Sequence, residues 1–115
     1  MNKRKMGSES ERTVGAYLKE QGYEILEYNF RCRQAEIDIV AREDRFLVFV
    51  EVKSRSSKRN GAPEEAVGFH KQNQIRRAAL YYMARFRVPE NTPIRFDVAA
   101  VQNGRIHLIR NAFLF

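Results

Sequence analysis

Residues 35–53 read AEIDIVAREDRFLVFVEVK and predict a β-hairpin in the core of the protein. Side chains alternate over 35–41 as in a strand with two distinct faces, and 46–53 is almost continuously apolar, as in a strand covered on both faces. The polar segment 42–45 is expected to form the turn. The stretch therefore predicts a strand, a turn and a second, fully buried strand.

Four charged side chains interrupt these apolar strands. The two-residue period puts Glu36 and Asp38 on one face of the first strand, and Glu51 and Lys53 on one face of the second. If the whole polar segment is the turn, Glu36 opposes Glu51 and Asp38 opposes Phe49. All four charges then share one face, and a register change of one residue would separate the two pairs.

Such a charged face is costly, and two interpretations remain open. Opposed like charges destabilise a sheet and buried carboxylates resist ionisation, so a hard divalent cation such as Mg²⁺ or Mn²⁺ would relieve both problems. Lys53 would then orient a water or offset charge on a phosphoryl group. The alternative is a pair of ordinary ion pairs, Asp38 or Glu51 with Lys53, on a solvated strand face.

The flanking sequence predicts a single domain over residues 1–115 with the order α-β-β-β-α-β-β. The first helix is expected to begin at Ser8, with Glu11 at the capping-box spacing, and to end near Gly22. The other predicted elements are a strand over 23–30, a helix over about 64–86 with a break near Gly68 as the alternative, a strand over 94–101, a turn at 103–104 and a strand over 105–109.

Charge and composition restrict the classes of function. The chain has 21 Lys and Arg against 14 Asp and Glu, a net charge of +7. Residues 56–115 hold six of the seven excess positive charges, which suits a polyanion such as nucleic acid as well as a plain basic surface. A single cysteine, Cys32, excludes a disulfide framework.

Three further expectations concern location and assembly. The basic start is not followed by the apolar region of a signal peptide, and no segment has the length of a membrane span. We therefore expect a cytoplasmic protein with no membrane partner. The apolar tail over 105–115 is expected to dock on its own core or on a second copy, which leaves a homodimer open.

Seven short motifs extend the pattern over nearly the whole chain: Ser10-Glu11, Tyr17-Leu18, GYEIL at 22–26, AEIDIVA at 35–41, FVEVKSR at 49–55, Lys71-Gln72 and RFDV at 95–98. Together they resemble the YraN-like family of small uncharacterised bacterial proteins. Asp38 followed by Glu51-Val52-Lys53 is similar to the PD-(D/E)xK nuclease signature, with Ile37 in place of the proline.

The resemblance implies an α/β fold with a restriction-endonuclease-like αβββαβ core, a mixed central sheet flanked by helices, related to Holliday-junction resolvases. It implies that Asp38, Glu51 and Glu11 hold Mg²⁺ or Mn²⁺, that Lys53 is the catalytic lysine and that Glu36 supports the site. Glu11 retains a structural alternative, in which it only completes the capping box.

The resulting hypothesis is a metal-dependent DNA endonuclease that hydrolyses phosphodiester bonds, with branched or recombination intermediates as candidate substrates. The alternative is a catalytically inactive nucleic-acid-binding module with a nuclease fold. Asp97 is expected to be the structural partner of an arginine. The candidate nucleic-acid contacts, with a solvated surface as their alternative, are Arg55, Lys58, Arg59, Lys71, Gln72 and Arg76.

Overall fold

A computed structural model describes residues 8–33, 35–55 and 67–115. The described part contains the elements in the predicted order; the stretch of the predicted second helix before residue 67 lies outside it. The elements are α1 (Glu9–Glu20), β1 (Glu24–Arg31), β2 (Glu36–Glu43), β3 (Phe46–Arg55), α2 (Phe69–Arg85), β4 (Ile94–Gln102) and β5 (Arg105–Phe113).

Helix α1 begins where the capping residues predict. The Ser8 side chain accepts a hydrogen bond from the Glu11 N–H at 3.2 Å, and the Glu11 carboxylate accepts one from the Ser8 N–H at 3.0 Å. These bonds satisfy two of the backbone donors that a helix leaves free at its start. Just after the helix, Gly22 has φ 99°, a left-handed conformation that glycine adopts without steric cost.

The strands form one mixed sheet in the order β1-β2-β3-β4-β5. All neighbours are antiparallel except β3 and β4, which run parallel. A parallel pair needs a long crossover, and the chain segment that contains α2 provides it. The structure thus confirms the predicted mixed α/β fold and is compatible with a restriction-endonuclease-like core.

The two helices cover opposite faces of the sheet. Val14 and Leu18 of α1 pack with Val48 and Val50 of β3. The alternate β3 residues pack on the other face against the buried side of α2, which includes Ile75, Ala78, Ala79 and Tyr82. Strand β3 is therefore covered on both sides, which accounts for its continuous apolar sequence.

The register of the β2–β3 hairpin differs from the prediction. Only Asp44 and Arg45 form the turn, with Asp44 at φ 58°, and Glu43 pairs with Phe46. The charged character of residues 42 and 43 predicts that they belong to the turn, and this prediction is wrong because both residues extend strand β2. The shift is two residues, so the faces of the paired residues are unchanged. The pairing ends at Ile39, however, and Ile37 packs in the cluster beside α2 whereas Ile39 packs in the cluster beside α1. Strict alternation is broken there, so a face shared by all four charges stays a prediction.

The C-terminal tail packs partly on its own core. Strand β5 runs to Phe113, longer than predicted, and the Phe113 ring stacks on Phe96 with centroids 4.9 Å apart. Phe115 meets Phe96 edge-on at 5.3 Å. Neither helix in the described part of the chain has the length and apolar character required to cross a membrane.

Candidate metal centre

The predicted charged residues of the hairpin lie where the pairing of β2 and β3 stops. The last pair in the ladder is Ile39 with Val50, and the next residues are Asp38 and Glu51. One oxygen of Asp38, Oδ2, accepts a hydrogen bond of 2.8 Å from the backbone N–H of Val52. The carboxylate thus binds to the neighbouring strand just beyond the ladder and is held in one orientation.

Helix α1 brings Glu11 to the same place. Glu11 Oε1 accepts the Ser8 N–H, and the carboxyl group also interacts with that of Asp38. The two interpretations of Glu11, helix cap and site residue, are therefore compatible, because the same carboxyl group serves the cap and interacts with Asp38. A hydrogen bond of 2.8 Å from Ser54 to Ser10 further joins the start of α1 to the end of β3.

Three carboxylates converge closely. Glu11, Glu36 and Asp38 each offer an oxygen atom, and these atoms lie within 4.8 Å of one another. Glu51 is close enough to Asp38 for its charge and a side-chain hydrogen bond to alter the Asp38 pKa. Glu36, expected only to support the site, is thus a member of the cluster, and Glu51 flanks Asp38.

The carboxyl groups of Glu11, Asp38 and Glu51 have raised pKa values, and burial is the main cause in each case. Burial, followed by the charge of Glu51, raises the pKa of Asp38 to about 7, although the Val52 N–H lowers it in part. Burial also raises the pKa of Glu51, against the opposing effect of Lys71, and that of Glu11, against the Ser8 hydrogen bond. A buried carboxyl group with a raised pKa gains from any added cation.

Two lysines stand beside the cluster. Lys71 at the start of α2 has its Nζ 3.7 Å from Oε2 of Glu51. Lys53, the lysine of the signature, is half-buried and also lowers the pKa of Glu51, but less than Lys71 does. Sequence reasoning placed Lys71 only among the nucleic-acid contacts; its presence in a family motif was the one signal for a closer role.

The remaining predicted nucleic-acid contacts are less close to the cluster. Gln72 donates a hydrogen bond to the Val67 carbonyl and accepts one from Arg76, while Arg76 also donates to the Leu114 carbonyl at 2.7 Å. These contacts give both side chains a role in fixing α2 and the tail, and their binding of nucleic acid stays a prediction. The side chain of Arg55, and all of Lys58 and Arg59, lie outside the described residues.

Asp97 has the structural role that the sequence predicts. Its carboxylate receives two hydrogen bonds of 2.9 Å from Arg95, one of 2.7 Å from the Tyr23 hydroxyl and one of 2.9 Å from the Asn111 N–H. Arg95 also pairs with Glu43 at 2.7 Å. Every oxygen of Asp97 is thus occupied by a protein donor, and none is left for a ligand.

The donor set of the cluster fits a hard divalent cation. Such ions bind through carboxylate oxygens, and the converging oxygens of Glu11, Glu36 and Asp38 supply them, with Glu51 adjacent. A cleft of about 330 Å³, lined by Glu36, Lys71 and Arg31 among others, adjoins the cluster. A phosphate group and a hydrated cation could enter there from solvent.

The chain has close relatives over nearly its full length. The profile described as "Uncharacterised protein family UPF0102" matches residues 10–101. A UPF0102 protein of Lachnoclostridium phytofermentans is 52% identical over 113 residues, covering 98% of this chain and 96% of the relative. Another, of Caldicellulosiruptor saccharolyticus, is 44% identical over 119 residues, covering 98% and 100% of the two chains.

Proposed function

Because this chain belongs to the uncharacterised protein family UPF0102, within the restriction-endonuclease-like superfamily, we propose that it is a metal-dependent DNA nuclease. It hydrolyses phosphodiester bonds, and branched or recombination intermediates are its candidate substrates. The observation that carries the proposal is the convergence of carboxylates from α1 and β2, with Glu51 of β3 beside them, where burial raises the pKa of Glu11, Asp38 and Glu51 despite the nearby Lys71.

The roles follow from the positions of the side chains. Asp38, Glu51 and Glu11 would hold Mg²⁺ or Mn²⁺, assisted by Glu36. When bound, such a cation polarises a phosphoryl oxygen and lowers the pKa of a water molecule. The Val52 N–H holds Asp38 in place, since it bonds one of its oxygens at 2.8 Å.

The positive charges beside the carboxylates would stabilise the phosphate group of the substrate. Lys53 and Lys71 lie on β3 and α2, on the side of the sheet that carries the adjoining cleft. Both would offset the negative charge that develops on a phosphoryl group under attack, and Lys53 would also orient the attacking water. Cytoplasmic location is part of the same proposal, since its substrate is DNA.

The test is cleavage of single-stranded, duplex and four-way-junction DNA with Mg²⁺ or Mn²⁺. Asp38→Asn and Glu51→Gln are each expected to lower the rate at least about a hundredfold, because they remove charge that holds the cation. Asp44→Asn is the matched control, since Asp44 is exposed at the far end of the same hairpin and asparagine tolerates its positive φ. Equal activity in the wild type and the Asp38 variant would contradict the assignment.

One contact favours a second candidate function, a nucleic-acid-binding module without turnover. The Lys71 ammonium group lies 3.7 Å from Glu51 and supplies positive charge to the cluster without any metal. Titration calorimetry with Mn²⁺ separates the two candidates. Binding that is lost in Asp38→Asn supports the nuclease, whereas DNA binding that weakens with salt but needs no metal supports the module.

A further inference from the structure

A second cavity, of about 430 Å³, lies at the other end of the hairpin. Its lining includes Leu47 near the β2–β3 turn and Tyr82, near the C-terminal end of α2. A helix rises about 1.5 Å per residue, so the end of α2 at Arg85 is about 20 Å from Lys71 beside the carboxylate cluster. The cavity is thus separate from the candidate metal centre and has the size of a small-molecule site, about 300–1,000 Å³.

The charged side chains that line this cavity are all arginines: Arg42, Arg45 and Arg87. Within the described residues, no carboxylate forms an ion pair with any of the three. Two carboxylates lie on the neighbouring strand β1: Glu24 stands opposite Arg42 in the β1–β2 pairing, and the charge of Glu27 acts on the Tyr82 hydroxyl. The rim therefore carries excess positive charge directed at one small cavity, which is complementary to an anion.

The cavity also has an aromatic wall. Tyr82 is only 7% exposed, and its hydroxyl forms no hydrogen bond with any of the described residues. Phe86 packs on Tyr82 with ring centroids 4.6 Å apart and leaves 48% of its surface exposed. A buried hydroxyl without a partner is costly, and an exposed ring beside it offers a stacking surface. Both features suit a flat, polar-edged ring.

Arg87 occupies a backbone position that glycine usually takes. It follows the end of α2 with φ 52°, and the next N–H, of Val88, bonds back to the Met83 carbonyl at 3.0 Å. Helices that end in this way generally have glycine at the left-handed position, because a side chain there costs about 1 kcal/mol. In this strained conformation the Arg87 guanidinium group lies on the rim of the cavity. Strained backbone of this kind is concentrated at ligand-binding and active sites.

We propose that this cavity binds a nucleotide, with the base against Phe86 and the phosphates on Arg42, Arg45 and Arg87. An anion alone would not need the aromatic wall, and an apolar ligand would not need three arginines around the cavity. The ligand is either a free nucleotide or one nucleotide of a strand. The proposal does not depend on cleavage, because none of the carboxylates of the cluster takes part.

The test measures equilibrium binding of three probes in EDTA: adenosine diphosphate, a single-stranded pentanucleotide and inorganic pyrophosphate. Removing the metal takes the proposed nuclease chemistry out of the measurement, so a failure of one proposal does not imply failure of the other. Adenosine diphosphate is expected to bind more tightly than pyrophosphate. A pentanucleotide that binds more tightly than the diphosphate identifies a strand as the source, and the reverse order identifies the free nucleotide.

Two variants assign the binding to this cavity. Arg87→Gly is expected to weaken nucleotide binding about tenfold or more, by the loss of charge-assisted hydrogen bonds, while stability stays equal or rises since glycine suits the backbone. Phe86→Leu is expected to weaken the binding of adenosine diphosphate but not that of pyrophosphate. Arg77→Gln, an exposed arginine of α2 away from the cavity, is the matched control with the same loss of charge and is expected to change binding less than twofold.

Three results would overturn the proposal. They are no binding of either nucleotide probe at millimolar concentration, equal affinity for diphosphate and pyrophosphate, and equal weakening by Arg87→Gly and Arg77→Gln. The thermal midpoint of each variant is measured alongside, so that a loss of binding through unfolding is recognised.

Discussion

Asp38 and Asp97 are both buried carboxylates on strands of one sheet, yet their surroundings are opposite. Asp97 is 0% exposed and receives four hydrogen bonds, two of them from Arg95. Asp38 is 9% exposed, receives one backbone hydrogen bond and faces further carboxylates. Burial of an acidic residue therefore does not by itself mark a functional site; the absence of sufficient compensating donors does.

The structure shows how each environment arises. At Asp97 the β4–β5 register shifts between Phe96 and Val98, and the Asn111 N–H bonds the Asp97 carboxylate there instead of continuing a regular ladder. At Asp38 the β2–β3 ladder has just ended, and Asp38 accepts the Val52 N–H there while the carboxylates of Glu11 and Glu36 converge on it. The irregularity at Asp97 completes a network of donors, whereas the end of the ladder at Asp38 brings several carboxylates together.

The largest effect is expected from Asp97→Asn. The change removes one of the two carboxylates that pair with Arg95 in the described part of the chain, leaving Glu43, and turns an amide N–H₂ toward existing donors. It is expected to lower the free energy of unfolding by about 3–5 kcal/mol. Urea denaturation at pH 7 measures it, with Asp44→Asn as the exposed control. A loss below about 1 kcal/mol would show that the two carboxylates differ less than their contacts indicate.

In the metal-free protein, Asp38→Asn is expected to raise the free energy of unfolding relative to the wild type at high pH, whereas Asp97→Asn lowers it. The folded-state pKa of about 7 lies above 3.8, the ordinary pKa of an aspartate side chain, so the folded protein binds more protons than the unfolded chain between these pH values. Stability of the wild type therefore falls as pH rises from about 4 to 7, by at most about 4 kcal/mol. The Asp38→Asn variant has no titratable group at this position, so this part of the decrease in stability with rising pH is absent from it.

The measurement is thermal or urea unfolding of both proteins in EDTA at pH 5 and pH 8. As pH rises, the stability of the variant should increase relative to that of the wild type. Added Mg²⁺ should stabilise the wild type alone at pH 8, because a cation favours the ionised carboxylates. A wild type that is more stable at pH 8 than the variant, without metal, would contradict the picture of an uncompensated cluster.

A smaller effect is expected from Ser8→Ala. The variant loses the side-chain acceptor of the capping box and is expected to be less stable by about 1 kcal/mol. Ser8→Asp keeps an acceptor and serves as the control, expected within a few tenths of a kcal/mol of the wild type. Chemical denaturation of the two variants tests whether Glu11 is held by the helix cap; equal stability would show that its position depends on other contacts.

Local signals accounted for much of the fold. The capping box at Ser8 and Glu11, the alternation over residues 35–41 and the apolar run over 46–53 each predict an element that the structure contains. Such patterns work because hydrogen bonds at a helix start and the two-residue period of a strand are properties of adjacent residues. The predicted hairpin register is wrong by two residues because a charged residue in a turn and one at the end of a strand look alike in sequence.

Other features had no local signal. Lys71 beside Glu51, and three arginines around one cavity, come from α2 packing across the sheet next to β2 and β3. The left-handed conformation of Arg87 depends on how α2 ends and was not detectable from an arginine in the sequence.

The amino-acid sequence alone determined the types and order of the elements and the pairing of β2 with β3. These depend on periodicity, which a shift of two residues leaves unchanged. Only the tertiary structure decided that Glu11 and Lys71 meet those strands and that Asp97 is fully satisfied while Asp38 is not. The reason is that contacts between distant elements depend on packing across both faces of the sheet, which no local pattern specifies.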